Sequence, residues 1–220
     1  MLQMRELLNN LRKETENTLR IFYALRQFQL FLTTEEGVEK INKNADFWII
    51  YETSLRSNMF LGIRRLYEAK SGSFNFQRFI DSCIKDISSF SKASLRSRKF
   101  ERSHNADEWI DDYMKDVYEP VEADFRSLAK LVRENSKNMK GIYTDAATRI
   151  YAHAIHMDHV SMSKLSEKLN FEEIEQALTS IWHAYEQVWQ MFENGNSLSF
   201  EIKKYPYAQE VIDSVIKQIG

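Results

Sequence analysis

Two prolines, six glycines and one cysteine are the whole supply of these residues in a chain of 220. Interior proline costs a helix about 3 kcal/mol and glycine about 1 kcal/mol, so their scarcity favours long unbroken helices. Collagen-like, disordered and turn-rich sheet architectures are excluded on the same ground. The lone cysteine, Cys83, rules out an intrachain disulfide framework and a cysteine-based zinc site, and it fits a reducing, cytoplasmic setting. No stretch approaches the roughly 18 consecutive apolar residues of a membrane span, so no membrane partner is expected. The first ten residues carry Arg5 and Glu6 where a signal peptide needs an unbroken apolar core. Neither sign of charge dominates. With a net charge of -2, any contact with nucleic acid must come from a local patch, because there is no global field to supply it.

What the chain does have is apolar residues at helical spacing. The clearest stripe is Phe171, Ile174, Leu178, Ile181, Tyr185, Val188 and Phe192. Asn170 stands at its N-cap, Glu173 at the capping-box position, Leu169 where it can staple onto Ile174, and Gly195 just past the end, which predicts a helix over 171–194. Leu7, Leu11, Thr18, Phe22, Leu25, Gln29 and Leu32 predict another over about 3–32, with a short helix starting after Thr33-Thr34. Residues 46–69 carry Trp48, Tyr51, Leu55, Met59, Ile63 and Leu66 on one face, widened by Phe47, Ile50, Phe60 and Leu61, so this helix is expected to be central and largely buried. Further helical spacing runs from Phe76 to Ile87, from Pro120 as a first helical residue to about Asn138, from Gly141 to about Ile155, and from Pro206 to the end. Ser197 to Lys203 reads as a short extended piece. The expected fold is all-α: an up-and-down helical bundle with additional peripheral helices. Residues 1–220 form a single domain, with a bundle core over about 3–194 and a helical appendage over about 205–220.

Between Ser88 and Glu119 the pattern weakens and charge separates. Residues 92–103 hold Lys92, Arg96, Arg98, Lys99 and Arg102 against Glu101, whereas 107–124 hold eight acidic residues against Lys115. Lys92, Arg96, Lys99 and Arg102 form a candidate phosphate-binding face for RNA. The alternative is a solvated run that pairs with the acidic stretch after it.

Three of the five histidines, His153, His156 and His159, fall within seven residues. At about 100° per residue and with Arg149 at zero, His153 lies near +40° and His156 near -20°, all on one face. Tyr143, Ala147, Ile150, Tyr151 and Ala154 occupy the opposite, apolar face. A permanently charged guanidinium can grip a phosphate with two N–H groups, and imidazole titrates near neutrality, so this trio suits phosphodiester chemistry. His159 falls near +280°, so a shared metal centre with Asp158 would need the helix to break near His156, and no metal or other cofactor is expected.

Two stretches resemble the HEPN superfamily, in particular its AbiU-type branch of bacterial abortive-infection proteins. Phe47-Trp48-Ile49-Ile50-Tyr51 through Arg64-Arg65-Leu66-Tyr67-Glu68, followed by a polar turn and Phe74-Asn75-Phe76-Gln77-Arg78-Phe79-Ile80, is similar to that branch's central helix and the next one. Ala152-His153 is similar to the end of its late motif. The superfamily's motif is an arginine followed by a histidine after four to six residues. From Arg149, His156 stands after six residues and His153 after three, so the spacing favours one histidine and the Ala-His match the other. The resemblance implies a metal-independent endoribonuclease in phage defence or a toxin–antitoxin system, with Arg149, His153 and His156 catalytic at a homodimer interface. It implies an RNA substrate and an antitoxin or nucleotidyltransferase as partner. The alternative is a catalytically decayed helical dimer that binds a partner protein or RNA without cleaving it.

Overall fold

A computed structural model of the chain describes residues 2–68, 74–137, 139, 143 and 170–219. Its elements are α1 (Leu2–Leu32), α2 (Glu35–Asn42), α3 (Ala45–Tyr67), α4 (Phe76–Lys85), α5 (Lys92–Arg102), α6 (Ile110–Lys115), α7 (Glu122–Glu134), α8 (Phe171–Asn194) and α9 (Ala208–Ile219), with 3-10 turns at Ile87–Phe90 and Ala106–Glu108. No strand occurs among the described residues, and the protein is all-α with bundle-like packing.

The local signals for the helix ends hold at several termini. Asn170 takes the N–H groups of Glu172 and Glu173 at 2.9 and 3.3 Å, and Gly195 closes α8 at φ 64°, a left-handed value that glycine adopts without a Cβ penalty. Thr34 caps α2 by accepting from Gly37 N at 3.0 Å, and Asn75 caps α4 by accepting from Arg78 N at 2.9 Å. Pro120 stands outside α7 and is not its first helical residue. Val121 is the N-cap, and its N–H donates to Asp124 Oδ2 at 2.8 Å.

The centre of the bundle differs from the expectation. α8 is buried without interruption from Ala177 to Tyr185, and it packs against α1 and α7. α1 shows a seam of Met4, Leu8, Leu11, Thr15, Leu19, Phe22, Leu25 and Phe28, with Leu8 in the interior where the sequence pattern put Leu7. α3 lies along α1 and buries only its second half, through Met59, Phe60, Gly62, Ile63, Leu66 and Tyr67. In its first half Trp48 and Tyr51 pack on Phe28 at ring distances of 5.5 and 5.3 Å, while Phe47, Ile49 and Ile50 stay exposed. Ile49 and Ile50 point away from the Trp48–Tyr51 side because helical geometry separates them from it by more than a quarter turn. A wide apolar band therefore marks a helix with one covered and one open side.

After Gly195, residues 196–205 run back along α8 as a strap without regular secondary structure. Two side chains one turn apart hold it: Gln187 Oε1 accepts from Ser199 N at 2.8 Å, and His183 Nε2 lies 2.9 Å from Ser199 O. A carbonyl only accepts, so Nε2 carries the proton. Burial holds His183 below the usual histidine range, helped by the Lys203 charge and opposed by the Ser199 bond. A buried imidazole that resists protonation is neutral in the folded chain while the unfolded chain still takes up a proton. Stability is then full above about pH 6.5 and is lost as pH falls from there through the lower folded-state value. Urea midpoints measured from pH 7.5 down to 5.5 should fall more steeply for the native protein than for His183→Gln. Parallel curves would refute the assignment.

Candidate functional site

Arg149, His153 and His156 lie outside the described residues, as do His159 and Asp158. The described residue nearest to them in sequence on the N-terminal side is Tyr143, one of the five assigned to the apolar face, and it is fully buried. Its ring lies 6.4 Å from that of Phe60 on α3. Its hydroxyl accepts from Asn170 N at 3.0 Å, at the cap of α8. Burial raises the Tyr143 phenol above its ordinary range. This tyrosine ties the chain ahead of the arginine–histidine segment to both α3 and α8.

The basic stretch is α5, and the structure spends much of its charge internally. Arg96 pairs with Asp111 at 2.6 Å and lies over the Phe100 ring, and Arg102 pairs with Glu193 at 2.6 Å. Lys92 donates its backbone N–H to Glu119 Oε2 at 3.0 Å, and the Lys99 ammonium sits 5.0 Å from the Tyr113 ring centroid. Asp111, Tyr113 and Glu119 all belong to the segment after the basic run. The four residues proposed for RNA share one helix, but Arg96 and Arg102 already hold carboxylates, so a phosphate has to displace these.

Sequence reasoning missed the role of Arg98. It is buried, donating from Nη1 to Ser89 O at 2.7 Å and from Nη2 to Phe192 O at 2.5 Å, with its guanidinium 4.0 Å from the Phe192 ring. A cation on the last carbonyls of α8 answers that helix's negative end. Burial pulls Arg98 below its ordinary range, and the charges of Glu193 and Glu101 counter it. Glu193, nearly buried, also takes Arg5 at 2.9 Å and Arg102 at 2.6 Å. Its carboxylate compensates a group of cations. Glu193→Gln is expected to lower stability by about 2 kcal/mol, less than a fully buried pair because the side chains of Arg5 and Arg102 are 41% and 46% exposed. Chemical denaturation measures this, and an unchanged midpoint would show that the carboxylate is dispensable.

Among the described residues no group of three His, Cys, Asp or Glu side chains is placed to hold a metal ion, and no helix is long and apolar enough to cross a membrane. Cys83 is buried with Sγ 3.9 Å from Met4 Sδ, and burial pushes its thiol up, away from the reactive thiolate.

The described residues thus define an all-helical domain in which Tyr143 ties α3 to the N-terminal end of α8. The family model HEPN AbiU2 matches residues 1–212, and the chain belongs to that abortive-infection-associated family of HEPN domains. No curated protein and no solved structure matched the chain in the same comparisons.

Proposed function

We propose that this HEPN domain is a metal-independent endoribonuclease acting in phage defence or a toxin–antitoxin system, with Arg149, His153 and His156 as its catalytic residues. The observation that carries this is the family match over residues 1–212, which takes in the whole arginine–histidine segment. Support comes from Tyr143, whose burial agrees with the apolar face assigned to that segment, opposite the histidines. In the proposed reaction a histidine accepts the proton of a ribose 2′-hydroxyl, and the 2′-oxygen attacks the adjacent phosphorus. The bond to the 5′-oxygen breaks, and that oxygen takes a proton from the second histidine or water. Arg149 stabilises the charge that builds on the phosphoryl oxygens, and the products are a cyclic phosphate and a free 5′-hydroxyl.

The active form is a homodimer with the Arg149–His156 faces meeting across a wet cleft, since a twofold axis doubles the cationic charge from one motif. Lys92, Arg96, Lys99 and Arg102 of α5 contribute weaker RNA contacts, and an antitoxin or nucleotidyltransferase restrains the enzyme. Purified protein should be a dimer by light scattering at micromolar concentration and should cut single-stranded RNA in the presence of a chelator. The combined His153→Ala and His156→Ala variant should remain folded and lose cleavage. A chelator-sensitive activity would point to a metal enzyme. A protein that cuts no RNA, and whose cellular effect survives loss of all three residues, is instead a binding dimer whose motif has decayed.

A further inference from the structure

A cavity of about 330 Å³ opens where the end of α3 and the start of α4 meet α7, at the lower end of the size range of small-molecule sites. Its wall is apolar, built from Leu66 and Tyr67 of α3, Phe76 of α4, and Ala129 and Val132 of α7. The polar side chains in that wall are bonded within the protein. The Tyr67 hydroxyl donates to Ala177 O at 3.0 Å, the Ser136 hydroxyl to Val132 O at 2.7 Å, and the Gln77 amide to Asp81 Oδ1 at 2.9 Å. A ligand with a polar body would bury its own donors and acceptors here without partners, which is costly. The remaining lining residues are the cations Arg133 and Lys137, both exposed. Every other arginine among the described residues has a partner, whereas the Arg133 side chain makes neither a hydrogen bond nor an ion pair. The residues four positions to either side of it are Ala129 and Lys137, so no acid stands where a helical partner would. Lys137 is unpaired as well, and no carboxylate among the described residues lines the cavity.

We propose that this cavity binds an apolar carboxylate of the size of a medium-chain fatty acid, with its body against Leu66, Phe76 and Val132 and its head on Arg133. The wall supplies affinity by removing apolar surface from water, and its spent polar groups reject a polar body. The guanidinium supplies the choice of head, since its planar fork matches the two oxygens of a carboxylate, and Lys137 adds attraction as a point charge. Both cations are exposed, so the head keeps part of its water and the pair avoids the desolvation cost of a buried one. A linear chain and a compact aromatic ring offer the same apolar body to this wall. None of these lining residues belongs to the arginine–histidine segment, and the site stands whether or not that segment cleaves RNA.

Isothermal titration calorimetry on the full chain tests it with decanoate, 3-phenylpropionate and the uncharged decanol, each below the concentration at which it aggregates. Saturable binding of a carboxylate ahead of decanol is expected, and methyl NMR should place the shifted signals at Leu66, Ala129 and Val132. Arg133→Gln should weaken carboxylate binding by about fivefold or more and leave decanol unchanged, because only the charged head meets that side chain. Ala129→Leu, which adds three carbons to the wall, should abolish binding of all three ligands, with thermal melts confirming the fold. Arg133 is exposed, so its variant decides the matter even where the crowded one fails to fold. Decanoate binding ahead of 3-phenylpropionate assigns the site to a chain, and the reverse assigns it to a ring. The proposal is overturned by no saturable heat at millimolar concentration for either carboxylate, by decanol binding as tightly as decanoate, by methyl shifts confined to another part of the protein, or by an Arg133→Gln protein that binds like the native chain. RNA cleavage measured in parallel keeps the two readings apart, since loss of binding here with cleavage intact refutes only this site.

Discussion

Gly62→Ala is expected to destabilise the protein by about 2 kcal/mol, even though alanine is the better helix former. Gly62 sits in α3 where it crosses α1, and a Cβ there would lie 2.3 Å from Thr18 Oγ1 and 2.9 Å from Thr18 Cγ2. Thr18 cannot swing aside: it is fully buried, short, branched at Cβ and anchored by donating from Oγ1 to Glu14 O at 2.7 Å. The two helices must therefore separate along the most extensive helix pairing in the described residues. Helix propensity by itself would stabilise the variant by about 1 kcal/mol. Overpacking of this kind costs about 1–3 kcal/mol, and a contact at 2.3 Å with an immobile neighbour belongs at the upper end or beyond it. Thr18→Ala removes the two nearest atoms. The double variant should then recover at least about 1 kcal/mol relative to the sum of the single changes. Strict additivity in denaturant midpoints, or a Gly62→Ala protein more stable than the native one, would show that the helices are not in this close contact.

Arg149→Ala is expected to slow RNA cleavage by about 10²–10³-fold, equivalent to about 2.7–4 kcal/mol of transition-state stabilisation. This rests on the proposed ribonuclease function. The charge on the non-bridging phosphoryl oxygens is greatest as the 2′-oxygen attacks, and a fixed guanidinium favours that state over the bound substrate. The loss should therefore fall mainly on kcat and be only partly restored by Arg149→Lys, because an ammonium supplies the charge without the planar fork. His156→Ala should be the more damaging histidine change if the six-residue spacing defines the motif, and His153→Ala if the Ala-His pair does. Single-turnover cleavage with folded variants reads all four. An Arg149→Ala rate within about twofold of native, well short of one such donor's contribution, would remove the arginine from the mechanism.

The legibility of the chain varied element by element. α8 could be read almost to its ends, because Asn170 and Gly195 act through bonds to residues within one turn, whereas the capping-box bond expected of Glu173 is replaced by Tyr143, whose hydroxyl takes the Asn170 N–H and donates to the Glu173 carboxylate. The start of α2 was legible at Thr34 for the same reason, whereas α4 was legible from its apolar spacing and its cap, Asn75, was seen only in the structure. The basic stretch was legible as a charge pattern, yet the partner of Arg102 is Glu193, 91 residues away, and the acceptors of Arg98 include Phe192 O, 94 residues away. No spacing rule reaches such partners. The packing of the segment after Gly195 against α8 had only a faint trace, the polar His183 and Gln187 one turn apart, and their role depends on where that segment returns.

The sequence by itself determined that the chain is helical, where most helices begin and end, and which family it belongs to, because backbone i to i-4 bonds, caps and apolar periodicity are properties of neighbouring residues. Only the tertiary structure decided that α1 and α8 are the inner helices and that Ile49 and Ile50 of α3 face outward. It also decided that Arg98 is a buried brace while Arg96 is a surface ion pair. An apolar stripe states that a face has to be covered. Which helix covers it, how far along its length, and which charges are enclosed in the process follow from long-range packing, where burial must be shared among several competing faces.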